Sequence, residues 1–528
     1  MKKTITINSI FEGQQPSFHF GQAGQFLSSL AIDPDVPVTD GASDIKTGGA
    51  IRPVGYSEFS GPEVNAAPVA IITTPKNTLT YVVLTNGKLI SYDSSLGSET
   101  LIGTVTGNTA SGAEYYNNYI YILGTGASAD DVTRYGPLTN SPSLTNGVWK
   151  GATLGTQTAL TNTTYPTTRH SFKYPNHWPH VHVDNKLYFC DFKNGQGMIH
   201  FIKTSKTTDE GDTNDGSTYN ALDLPFGYMP FDIESFDNFI VIAASQTSST
   251  SVNQGHSALF FWDTTSPSFT RKVPISEPLT TALSYQNGSL YGWSGSLGGG
   301  VRFWRYAGGN SIQTLKYIEE GMPPFAGAVE NYGNRVLWGA FTTYPDSSAS
   351  VFAYGSKSDL FPRGLHNIAR STVTATSSNG LVTALKNVQQ NGTFPKYVIG
   401  ATDGTNYNLD KQGTTYQTTF YRSPVFNIGS SFQVQNVSLR FAQAIGANMT
   451  LVPKLVFDNE STVSTGTTIN STNYSSSQRF IPLTSTNFDT GVSGKNNFYL
   501  ELKWSGTALL SVILPIEIEI EVLENNNL

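Results

Sequence analysis

Cysteine is almost absent. Cys190 is the only one among 528 residues, so no intramolecular disulfide can form and the fold has to hold without an oxidising compartment. Cys190 itself reads as a small buried hydrophobe rather than a nucleophile. Charge is scarce too, at 13% of residues, and the net charge is -7. No basic stripe runs along the chain, which argues against a grip on nucleic-acid phosphates and against sequence-specific nucleic-acid binding. No apolar run is long enough to span a membrane, so no membrane insertion is expected. The opening Met1-Lys2-Lys3-Thr4-Ile5-Thr6-Ile7-Asn8 carries two lysines with no apolar stretch behind them, and does not read as a secretory leader. Apolar spacing of the helical kind is hardly ever sustained over three turns.

The signatures of covalent chemistry are missing as well. The nucleophile motif Gly-x-Ser-x-Gly fails at its last position in Gly292-Trp293-Ser294-Gly295-Ser296. The glycine-rich Gly295-Ser296-Leu297-Gly298-Gly299-Gly300 leads into a strand, not the helix a phosphate loop needs. The acidic stretch Asp209-Glu210-Gly211-Asp212-Thr213-Asn214-Asp215-Gly216 departs from a calcium loop, because its glycine comes late and the bidentate glutamate is missing. No Ser-x-Asp-x-Gly-x-Thr-Trp turn of the propeller glycosidases occurs. Five of the eight histidines fall at His170, His177, His180, His182 and His200. The run His177, His180, His182 could gather imidazoles for zinc or iron. It lacks a carboxylate or cysteine at motif-like spacing, and packing among Trp178, Tyr188 and Phe189 accounts for it. No catalytic, cofactor or metal residue is assigned, and no reaction is expected.

What the chain does have is a phrase repeated seven times: a few apolar residues, a short turn with Asn, then an apolar run. Clear copies are Val183-Asp184-Asn185-Lys186-Leu187, Ser235-Phe236-Asp237-Asn238-Phe239, Tyr116-Asn117-Asn118-Tyr119-Ile120, Tyr285-Gln286-Asn287-Gly288-Ser289 and Tyr332-Gly333-Asn334-Arg335-Val336; weaker ones lie at Lys76-Asn77 and Ser378-Asn379-Gly380. Asn and Gly tolerate the positive φ of tight hairpins, so each phrase predicts a β-hairpin. The asparagines are 41, 67, 53, 49, 47 and 45 residues apart. A second apolar strand follows each hairpin, from Lys88–Asp93 in the first copy to Tyr397–Gly400 in the last. Units of roughly 40–50 residues with strands in the order A, turn, B, loop, C, turn, D predict a propeller of about seven blades. The innermost strands would be Trp178–Val183, Pro230–Ile233, Thr281–Tyr285 and Phe325–Val329. Tyrosine and tryptophan on polar loops, at Tyr115, Tyr116, Trp149, Tyr165, Tyr219 and Tyr344, are the types that bind glycans or partner surfaces.

The repeat stops near residue 403. Beyond it the strands alternate with period two, most plainly in Ile516-Glu517-Ile518-Glu519-Ile520-Glu521-Val522, which predicts half-buried strands of an antiparallel sandwich. The domains are thus expected as 1–65, an extended N-terminal arm; 66–403, the propeller; and 404–528, a C-terminal β-sandwich. Within the arm Thr4-Ile5-Thr6-Ile7 alternates and could be a strand that pairs elsewhere, whereas Phe11 to Ser60 would be disordered in a monomer and in an assembly could dock on a neighbour by adding a strand. How the ring closes is open: a strand from residues 40–65 or from the C-terminal domain could complete it.

Three features together resemble bacteriophage virion proteins. Phe11-Glu12-Gly13-Gln14-Gln15-Pro16-Ser17, then Ala31-Ile32-Asp33-Pro34-Asp35 and Gly48-Gly49-Ala50-Ile51-Arg52-Pro53, is similar to the opening of podovirus tail nozzle (tail tubular B) proteins. The propeller is the second feature. The third is Phe420-Tyr421-Arg422-Ser423-Pro424-Val425-Phe426-Asn427-Ile428-Gly429, which introduces a sandwich as in many phage tail and adsorption proteins. The resemblance implies a non-enzymatic tail subunit in the virion, multimeric, with itself and other tail proteins as partners. Two other readings are a propeller that binds a host receptor or glycan, and a propeller glycosidase or lyase, which would need carboxylates converging on the central opening.

Overall fold

The computed structural model describes residues 1–10, 12–14, 25–35, 38–40, 43–45, 48–105, 110–124, 132–136, 138, 148–150, 180–193, 195–203, 218–246, 255–296, 299–318, 322–342, 348–355, 364–373, 380–388, 396–413, 416 and 419–523. They form an all-β molecule. Seven four-stranded antiparallel sheets are strung along the chain, and two six-stranded sheets lie beyond them.

The hairpin turns of the five clear copies are where Asn and Gly predict them, whereas Gly380 of the last copy precedes an inner strand instead of turning a hairpin. Asn117 and Asn118 have φ of 45° and 70°, Asp184 and Asn185 49° and 56°, and Asn287 and Gly288 50° and 71°. Mirror-image turns of this sort match the right-handed twist of the strands they join. In each of the first six sheets the chain lays strands in order from the inside outward. The inner strands are Pro68–Thr73, Ala110–Tyr116, His180–Val183, Tyr228–Phe236, Leu279–Gln286 and Val329–Tyr332. The expected Phe325–Val329 strand is corrected here: Ala326–Ala328 is a short 3-10 turn, and the strand begins at Val329.

Packing occurs between sheets, so the second and third strands of each are buried on both faces. Ser257–Trp262 and Ser289–Gly295, for example, are buried throughout. Their apolar side chains divide between two neighbours. Ile240, Ile242 and Phe260 join Tyr188 and Ile199 of the third sheet, while Val241, Leu259 and Phe261 meet Leu290, Trp304 and Tyr306 of the fifth. Between the fifth and sixth sheets the rings of Trp293, Phe303, Trp338 and Phe352 stack in sequence, with centroids 5.2, 4.8 and 5.8 Å apart. Finally, Ile71, Val82 and Ile90 of the first sheet, with Val64 in the link ahead of it, share a core with Ala384, Val398 and Leu409 of the seventh. The stack therefore closes into a β-propeller.

The seventh sheet differs from the expectation in phase, and of the two closures left open it takes the strand from residues 40–65. Its inner strand is Leu381–Val388, so Tyr397–Gly400 belongs to the second strand, Lys396–Thr402, not the third. The third, Tyr407–Gly413, carries the ring past the expected boundary at 403. The fourth is Gly55–Glu58, from ahead of the first sheet, paired from Gly413↔Gly55 to Asp410↔Glu58. A borrowed outer strand leaves the last repeat one strand short in sequence, which is why its period misleads.

The two six-stranded sheets face each other across one core. One runs Lys2–Ile7, Val512–Val522, Phe432–Phe441, Phe480–Thr484; the other runs Ser28–Leu30, Thr419–Arg422, Asn497–Gly506, Met449–Phe457, Thr462–Thr465. Ile516, Ile518 and Ile520 point into that core with Leu455, Leu500 and Leu502, and Glu517 and Glu519 are exposed, as the alternation predicts. Thr4-Ile5-Thr6-Ile7 pairs as its alternation allowed, and the expectation that the segment after it is disordered in a monomer is overturned. Lys2–Ile7 pairs with Ile516–Glu521, Ser28–Leu30 with Phe420–Arg422, and Ala50–Ile51 with Val512–Ile513. These strands bury apolar side chains on their own chain, which compensates the ordering entropy without a neighbouring subunit.

The same segment joins ring to sandwich. The buried Arg335 guanidinium lies 2.9 Å from Asp33 and 3.3 Å from Asp35, and also donates to the Tyr397 hydroxyl. Asn367 accepts from the backbone N–H groups of Ala31, through its side chain, and Ile32, through its carbonyl. Gly13, at φ +80°, lies so close to the sixth sheet that a Cβ there would meet Leu365 N at 2.4 Å and Leu365 O at 2.7 Å.

Arg335→Met should destabilise the protein by about 3–5 kcal/mol, because two buried carboxylates lose their cation; a melting temperature equal to wild type would show that the pairing is dispensable. Gly13→Ala should cost about 1–3 kcal/mol, since the added carbon meets backbone that cannot move aside. Denaturant titration would check both.

Candidate functional site

Propeller geometry turns one residue position of every inner strand toward the axis. Those strands enclose a cavity of about 330 Å³ to which all seven contribute. Its chemistry comes from Glu114, His180, Asp232, Glu234, Ser284, Glu330, Asn331 and Lys386. Four of these occupy equivalent places. Glu114, Glu234, Ser284 and Glu330 each stand three residues before the first turn residue: Asn117, Asp237, Asn287 and Gly333. Aligning the repeats on their turns would have picked them out of the sequence.

Neighbouring sheets are stitched together across this inner surface. His180 Nε2 is 2.8 Å from Glu114 Oε2, and His182 Nε2 is 3.7 Å from the other oxygen. Lys386 Nζ is 3.0 Å from Glu330. The Ser284 hydroxyl donates to the Asn331 side-chain oxygen at 2.8 Å, and the Asn331 amide donates to Tyr285 O at 3.0 Å. Asp232 accepts from Ile233 N at 2.8 Å and from Leu283 N, in the next sheet, at 2.7 Å.

Burial and partners push the acids apart. Burial works to raise Glu114, but the His180 hydrogen bond and the charges of His180, His182 and Lys386 outweigh it, and its pKa falls below the usual glutamate value. Burial raises Glu234 and Glu330. It pushes Asp232 up to about 8, against the pull of the Leu283 and Ile233 N–H groups. Lys386 is raised because Glu330 and Glu114 together outweigh its own burial. His182 is lowered, chiefly by burial.

The histidine run thus acquires a partner its spacing did not announce. His180 and His182 share one carboxylate from the second sheet, and the His182 ring packs edge-on to Tyr116 at 5.3 Å. His170 and His177 lie outside the described residues, as does the acidic stretch 209–216. Among the described residues no three His, Cys, Asp or Glu side chains converge to ligate one ion. His200 is buried beside Phe189, and Cys190 sits in the core with Val181 and Ile199.

The aromatic loop residues need correction. Tyr116 is buried and donates to Asn185 O, and Tyr115 is half-buried. Trp149 and Tyr219 belong to the strands Val148–Lys150 and Thr218–Asp223 rather than to loops. Tyr165 and Tyr344 lie outside the described residues. Hairpins recruit tyrosine for packing along the strands, which is why polar neighbours in sequence did not mean exposure.

No protein-family model and no curated protein sequence matches the chain. Solved structures do resemble it. The computationally designed Ika8 protein is 12% identical, over 66% of this chain and 96% of its own, at a TM-score of 0.37. The WD40 β-propeller domain of Doa1 is 8% identical, over 67% and 97%, at 0.41. The β-propeller domain of Myceliophteria thermophila Cps50 (Swd1) is 6% identical, over 68% and 99%, at 0.39. Likeness at this level carries no argument about activity.

The raised acids make stability depend on pH. A carboxyl whose folded pKa exceeds the unfolded value of about 3.9 stabilises the fold fully below that value, and loses the contribution as pH rises through the folded pKa. Asp410, raised to about 6 by burial, acts first, and Asp232, near 8, acts last. Both carboxyls are ionised in the unfolded chain above about pH 4, so the loss runs from there up to the folded values, and the melting temperature should fall as pH rises from about 5 to about 8. Asp232→Asn should flatten the upper part of that decline, at a lower absolute melting temperature, because its amide meets a donating N–H. A wild-type melting temperature that rises over this window would contradict the assignment.

Proposed function

We propose that the chain is a structural subunit of a bacteriophage particle, placed in the tail, that works through assembly and surface presentation and carries out no reaction. One observation supports this reading above the others. Described residues of the stretches similar to tail nozzle proteins lie where ring and sandwich meet. Gly13 abuts Leu365, Asp33 and Asp35 hold Arg335, and Pro53 bridges to Ile32. A likeness confined to residues with this architectural task is what a shared scaffold would leave behind.

The glycosidase reading asked for carboxylates at the central opening, and Glu114, Glu234 and Glu330 do line it. Glu114 and Glu330, however, are each engaged by basic side chains of an adjacent sheet, an arrangement that favours holding the ring together. The partners of the proposed subunit are further copies of itself and other tail proteins, and its location is the virion. The free edge at Lys2–Ile7 and the exposed Glu517 and Glu519 beside it offer contact surface.

Light scattering on the purified chain should give one defined oligomer mass, and mass spectrometry should find the chain in purified particles. A monomer at every concentration, together with absence from particles, would overturn the proposal.

A further inference from the structure

The axial cavity has a chemistry that assembly alone leaves unused, and elimination narrows what it would hold. A metal ion does not fit, since no three ligating side chains converge among the described residues. An anion does not fit either. Glu114, Asp232, Glu234 and Glu330 face the space against a single ammonium, Lys386, which is already 3.0 Å from Glu330. A flat heteroaromatic molecule would find no Phe, Tyr or Trp side chain among the described lining residues to stack on.

Hydrogen-bonding groups spaced around the wall remain. Glu114, Glu234 and Glu330 supply acceptors, Lys386 and His180 carry N–H groups, and the Ser284 hydroxyl serves either way. A ligand rich in hydroxyl groups both donates and accepts at each position, so it matches such a wall. The volume, about 330 Å³, lies at the small end of the roughly 300–1,000 Å³ of ligand pockets. The wall is also rigid in advance, because Ser284, Asn331, Glu114 and His180 are hydrogen-bonded between sheets at 2.8 to 3.0 Å. A ligand entering it would order few side chains.

We propose that the axial cavity binds a small hydroxyl-rich ligand without negative charge, a neutral or amino sugar of mono- or disaccharide size, through the carboxyl groups of Glu234 and Glu330 and the ammonium of Lys386. This goes beyond the scaffold role, and its failure would leave that role intact, since oligomer mass and sugar affinity are measured separately.

The experiment is calorimetry and saturation-transfer NMR on the full chain, with glucose, glucosamine and glucuronate as probes. Glucose and glucosamine should bind, glucosamine more tightly, and glucuronate should not. Glu234→Gln retains the acceptor for Ser235 N, gives up the one for Tyr285 N at some cost in melting temperature, and should weaken binding about tenfold through the lost charge-assisted bond. Lys386→Met should weaken it similarly, and Lys2→Ala, out on the sandwich edge, should leave it unchanged. The proposal is overturned if no probe binds, if glucuronate binds as well as glucosamine, or if both cavity variants keep wild-type affinity.

Discussion

Four residues, Gly55 to Glu58, carry the constraint on which the molecule depends. A stack of sheets buried on both faces has no stable end, because its first and last members would leave an apolar face in water. The chain removes both ends at once by pairing Gly55–Glu58 with Tyr407–Gly413 before it lays down the first sheet. The strand completing the seventh sheet thus runs directly into the inner strand of the first, and the Val64, Ile71, Val398 and Leu409 cluster is sealed between them. Some 350 residues separate the partners, but the entropy of closing such a loop grows only with the logarithm of its length. Burial of the shared core offsets it.

The rest of the N-terminal segment follows from this closure. Having to reach the ring from ahead of it, the segment crosses the sandwich first, adding strands at Lys2–Ile7, Ser28–Leu30 and Ala50–Ile51. The crossing point is polar and buried. Arg335 with Asp33 and Asp35 gains less stability than an apolar plug of the same size would, but it accepts one register only, since a shifted segment would strand a charge. Axially the same economy appears. Pairs such as Glu114 with His180 and Lys386 with Glu330 join neighbouring sheets where the opening keeps side chains half-wet and a hydrophobic seam would be poorly covered. Those pairs also give the opening its hydrogen-bonding character.

Much of the fold was legible. The hairpins were, because an Asn or Gly at positive φ is a requirement of the turn itself. So were the two-sided strands such as Ser257–Trp262 and the Ile/Glu alternation of the last strand. The phase of the seventh sheet was not, because its fourth strand is written some 350 residues earlier. The site was legible only in part. His180 and His182 stood out as a cluster, whereas their partner Glu114 lies in another repeat, where a lone glutamate looks like any solvated one. Tyr116 looked like a surface aromatic until its hydroxyl found Asn185 O.

By itself the sequence determined the all-β class, the turns of the clear copies and the change of pattern beyond the ring, since each rests on preferences acting over a few residues: backbone sterics at the turn and alternation along the strand. Only the tertiary structure decided which segment closes the ring, which charges meet at the joint, and which carboxylates share the axis. Those pairings depend on where distant parts of the chain arrive in space once seven sheets have packed, and neither the spacing nor the composition of any one repeat records that.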